Sequence, residues 1–165
     1  MGWQEQPREG PVKQRTPRVG IESPLQEEVA EMIEALDTYL NAMYPDGSNY
    51  LLDVDSLTAE NVSFLVARVD GQAAGCGALV LDHLDYAEIK RMYVKPEARR
   101  LGIGAAILQE LEQIARNADR SLVRLETGVH QPEALGLYRR AGYVDRGPFG
   151  DYPPDPVSVF MEKPL

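Results

Sequence analysis

The stretch RRLGIGAAILQELEQIA, Arg99 to Ala115, joins two signals. Gly102 and Gly104 lack side chains, so a ligand can approach the backbone closely there. Ile103, Ile107, Leu111, Ile114 and Ala118 then recur at helical spacing, which predicts a helix over 103–118. The first N–H groups of a helix have no internal partner, and its dipole adds positive potential at that end. With Arg99 and Arg100 in front, such a turn suits a phosphate or pyrophosphate. A side chain at Gly104 is expected to block that approach while costing little folding stability. A plain turn into a helix is the alternative.

The surroundings of the turn set the fold class. Upstream, AEIKRMYV (87–94) reads as a strand closed by Lys95-Pro96. VSFLVARVDGQAAGCGALVL reads as two strands joined at Asp70-Gly71, a hairpin turn. RVGIE (18–22) is a short first strand. Ser23-Pro24 resembles an N-cap with proline at the first helical position. Leu25, Val29, Met32, Ile33, Leu36, Leu40 and Met43 follow on one face, so a helix is expected over 24–44. Downstream lie a strand at 121–129, a short helix from Pro132 to Ala141, and strands in YVDRGPF and PVSVFMEK. A hairpin meander followed by a β-α-β unit argues for a mixed α/β sheet with helices on its faces.

Composition bounds the rest. A chain of 165 residues with 44% hydrophobic content is expected to form a single domain over 18–165. Residues 1–17 lack periodicity and read as a disordered tail. Cys76 is the one cysteine, which excludes an internal disulfide, and two histidines argue against a metal site. With no apolar leader and no run of roughly 20 apolar residues, neither export nor a membrane role is expected, and a cytoplasmic location is. The net charge of −9 argues against nucleic acid as a partner. Residues 1–18 carry four cations against two carboxylates, so the remainder stands at −11. Within that acidic body Lys90, Arg91, Lys95, Arg99 and Arg100 are opposed only by Glu97. This basic patch is a solvated strand end or an anion site.

Two phosphate loops are excluded by residue type. No Gly-Lys pair occurs, which removes the P-loop, and Ile107 stands where a dinucleotide fingerprint needs glycine or alanine. A third loop matches. A strand ending in valine, then x-P-x-x-R-R-x-G-x-G-A and a helix, resembles the acetyl-CoA loop of the GNAT N-acetyltransferase superfamily. Its pattern [RQ]-x-x-G-x-[GA] is met by Arg99, Gly102 and Gly104. EIKRMYV is similar to that family's central strand, and LVRLETGVHQPEALGLYRRAGY to its next strand and following helix. The resemblance covers about 61–145. GCGAL, LETG and FGDYPPDPVSVFMEK further resemble a bacterial subgroup of acetyltransferases.

The resemblance implies a mostly antiparallel sheet whose central fourth and fifth strands splay apart. It implies acetyl-CoA as co-substrate, with no metal. The backbone of Met92, Tyr93 and Val94 would pair with the pantetheine arm, one N–H facing the thioester oxygen. Backbone groups of Arg100, Leu101, Gly102, Ile103, Gly104 and Ala105 would cradle the pyrophosphate. Met92 and Val94 could equally be core residues. Tyr138 matches the tyrosine that protonates the leaving thiolate. Gln131 stands where many members carry asparagine, which puts its contact with the coenzyme in doubt.

An attacking amine must lose a proton, so a carboxylate is expected nearby. Glu88 and Glu126 match bases used in different branches, and Glu126 is favoured because its strand leads into the helix of Tyr138. His130 is a third candidate by its mid-range titration. Cys76 has no basic partner nearby in sequence and reads as a small buried strand residue. Gly75 and Gly77 mark close backbone approach or a bulge. Two function classes stay open: transfer of an acetyl group to the amine of a small molecule or peptide, and a non-catalytic acyl-CoA sensor. Many relatives form dimers, so a homodimer also stays open.

Overall fold

The computed structural model describes residues 15–165. Most of the expected tail at 1–17 therefore lies outside the described residues. Seven strands form one sheet in the order β1-β2-β3-β4-β5-β7-β6. They are β1 (Arg18–Ile21), β2 (Val62–Val69), β3 (Gln72–Val80), β4 (Ala87–Val94), β5 (Leu122–Gly128), β6 (Val144–Arg146) and β7 (Ser158–Pro164). Every neighbouring pair is antiparallel except β4 and β5. The helices are α1 (Glu27–Met43), α2 (Ile103–Asn117) and α3 (Pro132–Arg140), with short 3₁₀ turns at Ser56–Thr58 and Pro96–Ala98.

The two faces of the sheet bury different sets. On one, Ile103, Ile107, Leu108, Leu111 and Ala115 of α2 pack with Tyr138 of α3 against Leu79, Ile89, Val123, Leu125 and Met161. On the other, Val29, Met32 and Ile33 of α1 pack on Phe64, Val66, Cys76 and Ala78. Gly75 and Gly77 let α2 come close. A Cβ on Gly75 would lie 2.8 Å from the Tyr93 carbonyl oxygen, and one on Gly77 2.8 Å from Ile107.

Two elements depart from the sequence reading. Helix α1 starts at Glu27 behind Gln26, not at Pro24. The Ser23 hydroxyl accepts the Leu25 N–H at 3.1 Å, closing a local turn instead of capping a helix. Leu25 is accordingly exposed. The buried stripe of α2 also carries Glu112, which the apolar spacing left out, while Ile114 packs at the margin of the core and Ala118 follows the helix end. Glu112 accepts hydrogen bonds from Tyr143 Oη (3.1 Å) and Lys163 Nζ (3.0 Å), which makes its burial tolerable.

Strand β4 changes its facing part-way. Gly77 stands opposite two residues, Arg91 and Met92, because the register shifts between Cys76 and Ala78. Arg91 has a φ of +58°, a bulge conformation. Ala87 and Ile89 face α2, whereas beyond the bulge Met92 and Val94 do so. Lys90 and Arg91, although consecutive, both face the α1 side. The Cys76 thiol donates to the Arg91 carbonyl oxygen at 3.3 Å. Its burial pushes the thiol pKa up to about 12, the state of an inert cysteine.

Candidate active site

The ladder between β4 and β5 lasts three rungs, Ala87 to Ile89 against Val123 to Leu125. Beyond them the strands part, and a cavity of about 90 Å³ fills the gap. Ile89 to Met92 form one wall and Glu126 to Gly128 the other. Tyr138 closes it from the α3 side, while Leu36, Leu40, Tyr44, Tyr50, Leu52 and Tyr152 line the α1 side. The structure thus brings Glu126, Tyr138, Met92 and Gln131 to one cavity. His130 does not line it. It is exposed, with its ring stacked on Tyr44 at 5.6 Å.

Glu126 sits where β5 leaves its partner. Burial raises its carboxyl pKa to about 7, against partial relief from the Ser158 hydroxyl and Lys90. Glu88 stands outside the cavity lining. Its Oε2 accepts from Tyr152 Oη at 2.6 Å and lies 3.9 Å from Lys90 Nζ. Burial raises its pKa also, opposed by Lys90 and Tyr152. Tyr138 is 5% exposed and meets Tyr143 edge-on at 5.9 Å. Burial, with Glu126 nearby, raises its phenol well above the usual value, so it is a neutral donor at physiological pH.

The turn before α2 has the geometry of a close approach. Arg100 (φ +67°) and Gly102 (φ +76°) hold left-handed backbone, and nothing lies within 4 Å of a Cβ built on Gly102. Leu101 and Ala105 are exposed beside it, and Ile103 is buried under α2. No side chain caps α2, so its leading N–H groups are open. A Cβ on Gly104 would lie 2.8 Å from a terminal methyl of Leu137, so a side chain there would press on α3 as well as on the turn. The basic patch divides. Lys90 Nζ donates to the Tyr50 carbonyl oxygen at 2.9 Å, and Arg91 pairs with Asp37 and donates to the Leu52 carbonyl oxygen at 2.7 Å. Only Lys95, Arg99 and Arg100 stay near the turn. Arg99 pairs with Glu133 at 3.2 Å and donates to the Val94 carbonyl oxygen.

Sequence reasoning missed the α1 side of the cavity. The Tyr44 hydroxyl donates to Gln131 Oε1 and accepts the His130 N–H, both at 3.2 Å. It lies so close over Gly128 that a Cβ there would be 1.7 Å from it. Gln131 Oε1 also accepts the Gly128 N–H at 3.2 Å, so its carbonyl oxygen is committed within the protein. Tyr50 donates to Asp155 at 3.1 Å and meets Tyr152 edge-on at 5.2 Å. No local spacing marks these contacts, whose partners are up to 105 residues apart.

An acetyltransferase (GNAT) family model matches residues 29–143. The chain belongs to the GNAT acetyltransferase family. An "IAA acetyltransferase" of Azospirillum brasilense is 52% identical over 148 residues, covering 89% of this chain and 97% of the relative. The uncharacterised N-acetyltransferase YsnE of Bacillus subtilis is 33% identical over 128 residues, covering 76% and 85%. Among solved structures, a chain from Klebsiella pneumoniae assigned as an acyl-CoA N-acyltransferase has a TM-score of 0.76 at 40% identity, covering 90% and 97%. A PaiA N-acetyltransferase of Thermoplasma acidophilum, solved with coenzyme A, has the same fold (TM-score 0.69, 20% identity, 91% and 99%). As a GNAT protein the chain is an acetyl-CoA-dependent acetyltransferase. Among the described residues no helix is long and apolar enough to cross a membrane. No group of three His, Cys, Asp or Glu there could hold a metal ion.

Proposed function

We propose that the chain is an N-acetyltransferase that moves the acetyl group of acetyl-CoA to a primary amine by direct attack. The observation that carries this reading is the lining of one cavity by Glu126 from the β5 wall and Tyr138 from the α3 side. Beyond Ile89 the β4 edge facing β5 has no strand partner among the described residues, leaving backbone groups of Met92 to Val94 for the pantetheine arm. The open turn at Arg100 to Ala105 takes the pyrophosphate, with Arg100 as the exposed cation. Glu126 accepts the ammonium proton. The amine attacks the thioester carbon, and Tyr138 donates to the departing thiolate. Glu88, held by Tyr152 and Lys90, shapes the charge around Glu126. The acceptor is a small-molecule or peptide amine. The relative named for IAA is 52% identical over 148 residues, so IAA is tested beside the amine panel as an acceptor of different chemistry.

Tyr138→Phe keeps the ring and loses the hydroxyl. General acid help is worth 10²–10⁴-fold, so turnover should fall by roughly ten- to a thousandfold with coenzyme A still bound. For the wild type, kcat/KM should rise with pH through about 7, as Glu126 loses its proton. Glu126→Gln should abolish that inflection and leave a slow rate that follows the fraction of free amine. Glu88→Gln should keep the inflection. Wild-type profiles in all three variants, measured by thiol release, would remove the mechanism and favour an acyl-CoA sensor.

A further inference from the structure

The β4–β5 ladder ends at Ile89 and Leu125. Continued by one residue, it would set Lys90 opposite Glu126. Ile89 and Leu125 face α2, so alternation sends both of these side chains to the α1 side. Both line the cavity. The first rung that the splay leaves out is thus an ammonium across from a carboxyl. Lys90 is largely withdrawn from solvent, its side chain 17% exposed. An ammonium carries three N–H donors. Among the described residues it has one hydrogen-bond acceptor, the Tyr50 carbonyl oxygen at 2.9 Å. Glu88 Oε2 lies at 3.9 Å, beyond hydrogen-bond reach, and takes its own hydrogen bond from Tyr152. The Tyr152 ring centre stands 5.2 Å from Nζ. Arg91, the next cation, is taken up by Asp37 and the Leu52 carbonyl oxygen. Asp155, from the segment before β7, accepts the Val157 N–H and the Tyr50 hydroxyl.

A half-hidden cation in a substrate cavity favours a ligand that brings an anion, while Glu126, as the proposed base, receives the ligand's amine. In an α-amino acid these two groups hang on one carbon. Seated between Lys90 and Glu126, that carbon turns its side chain to the α1 side, where Leu36, Leu40, Tyr44, Tyr50 and Tyr152 stand. We propose that the acceptor is a free α-amino acid with an apolar or aromatic side chain, and that Lys90 selects it by pairing with its carboxylate. This rests on the proposed N-acetyltransferase reading with Glu126 as base. A peptide N-terminus carries a neutral amide where the carboxylate would be, and leaves Lys90 without its anion. The acceptor's ammonium proton passes to Glu126, and the nitrogen lone pair forms the C–N bond as the C–S pair leaves with sulfur. Sulfur takes the Tyr138 proton, which the second proton lost by nitrogen replaces. The products are an N-acetyl amino acid and coenzyme A. The carboxylate is a handle and does not react.

The test is kcat/KM by thiol release for the wild type, Lys90→Met and Lys90→Arg. The acceptors are L-phenylalanine and L-leucine, their decarboxylated amines and their amides. Each amine is more basic than its amino acid and each amide less, so the two bracket the effect of basicity. The wild type should prefer the better amino acid over both neutral counterparts by roughly ten- to a hundredfold, the range of a charge-assisted hydrogen bond. That ratio should fall close to one in Lys90→Met and be largely kept in Lys90→Arg. The ratio is the readout because Lys90 also acts on the charge of Glu126, an effect shared by all acceptors. A wild type that acetylates amine or amide as well as the amino acid, or a preference that survives in Lys90→Met, overturns the proposal and leaves the N-acetyltransferase reading in place. If none of the compounds releases thiol, the two fall together. Should Lys90→Met not fold, Lys90→Gln takes its place, since it keeps a donor for the Tyr50 carbonyl oxygen. Its ratio should fall well below that of Lys90→Arg.

Discussion

Glu126 has a thermodynamic consequence apart from its chemistry. Its pKa rises from 4.5 to about 7 because burial disfavours the charged form. The folded state therefore holds the proton more tightly than the unfolded chain. That stabilisation is complete below pH 4.5 and is lost as pH rises through 7, amounting to roughly 3 kcal/mol at most. Glu126→Gln removes the buried charge. It should melt above the wild type at pH near 8 and close to it at pH near 5, as followed by circular dichroism. An equal shift at both pH values would deny the cost of burying the carboxylate. At this scale the sequence marked Glu88 and Glu126 as candidates but could not rank them by environment. The difference lies in Tyr152, which reaches Glu88 from the segment before β7.

At the scale of elements, Gly104 is the instructive position. Its lack of a side chain matched the loop pattern, yet the space above it belongs to Leu137. Gly104→Val should cost about 1–3 kcal/mol by overpacking α2 against α3. Trimming the neighbour in Gly104→Val/Leu137→Ala should return part of that loss. Urea unfolding checks this, and full stability in the single variant would contradict the packing. Gly102→Ala is the cleaner probe of the turn, since its Cβ meets nothing within 4 Å. It should stay folded, at a cost of about 1–3 kcal/mol for its left-handed backbone, and bind coenzyme A more weakly by calorimetry. The helices and strands were legible because apolar spacing is a local signal. The bulge in β4 was not. Arg91 is not a residue that advertises positive φ, and its conformation is supported by distant partners, Asp37, Leu52 and Cys76.

For the whole molecule, the proposed reading assigns the turn, the β4 edge beyond Ile89 and the cavity to one coenzyme. Acetyl-CoA at a hundredfold excess over Kd should add about 2.7 kcal/mol of stability. For a chain of this size that is a rise of about 5–10 °C in Tm. NAD and ATP should give no such rise, because the turn lacks both of their loop patterns. A flat thermal-shift response to coenzyme A at high concentration would sink the assignment. The family and its sheet could be read from a few contiguous motifs. The acceptor wall could not, since Tyr44, Tyr50 and Tyr152 converge only after folding.

The extra residue in β4 reaches further than the strand itself. A bulge bends its strand and increases the local twist, and here the β4–β5 ladder stops two residues before it. Counting past Arg91, Met92 and Val94 still face α2, as Ala87 and Ile89 do. Excising Arg91 would therefore return β4 to plain alternation with each remaining side chain on its present face. The straightened strand would be free to zip onto β5, shutting the slot while sparing the α2 core. In genetic terms, the loss of the single codon for Arg91 should seal the cavity and silence turnover, which thiol release from the shortened chain would check.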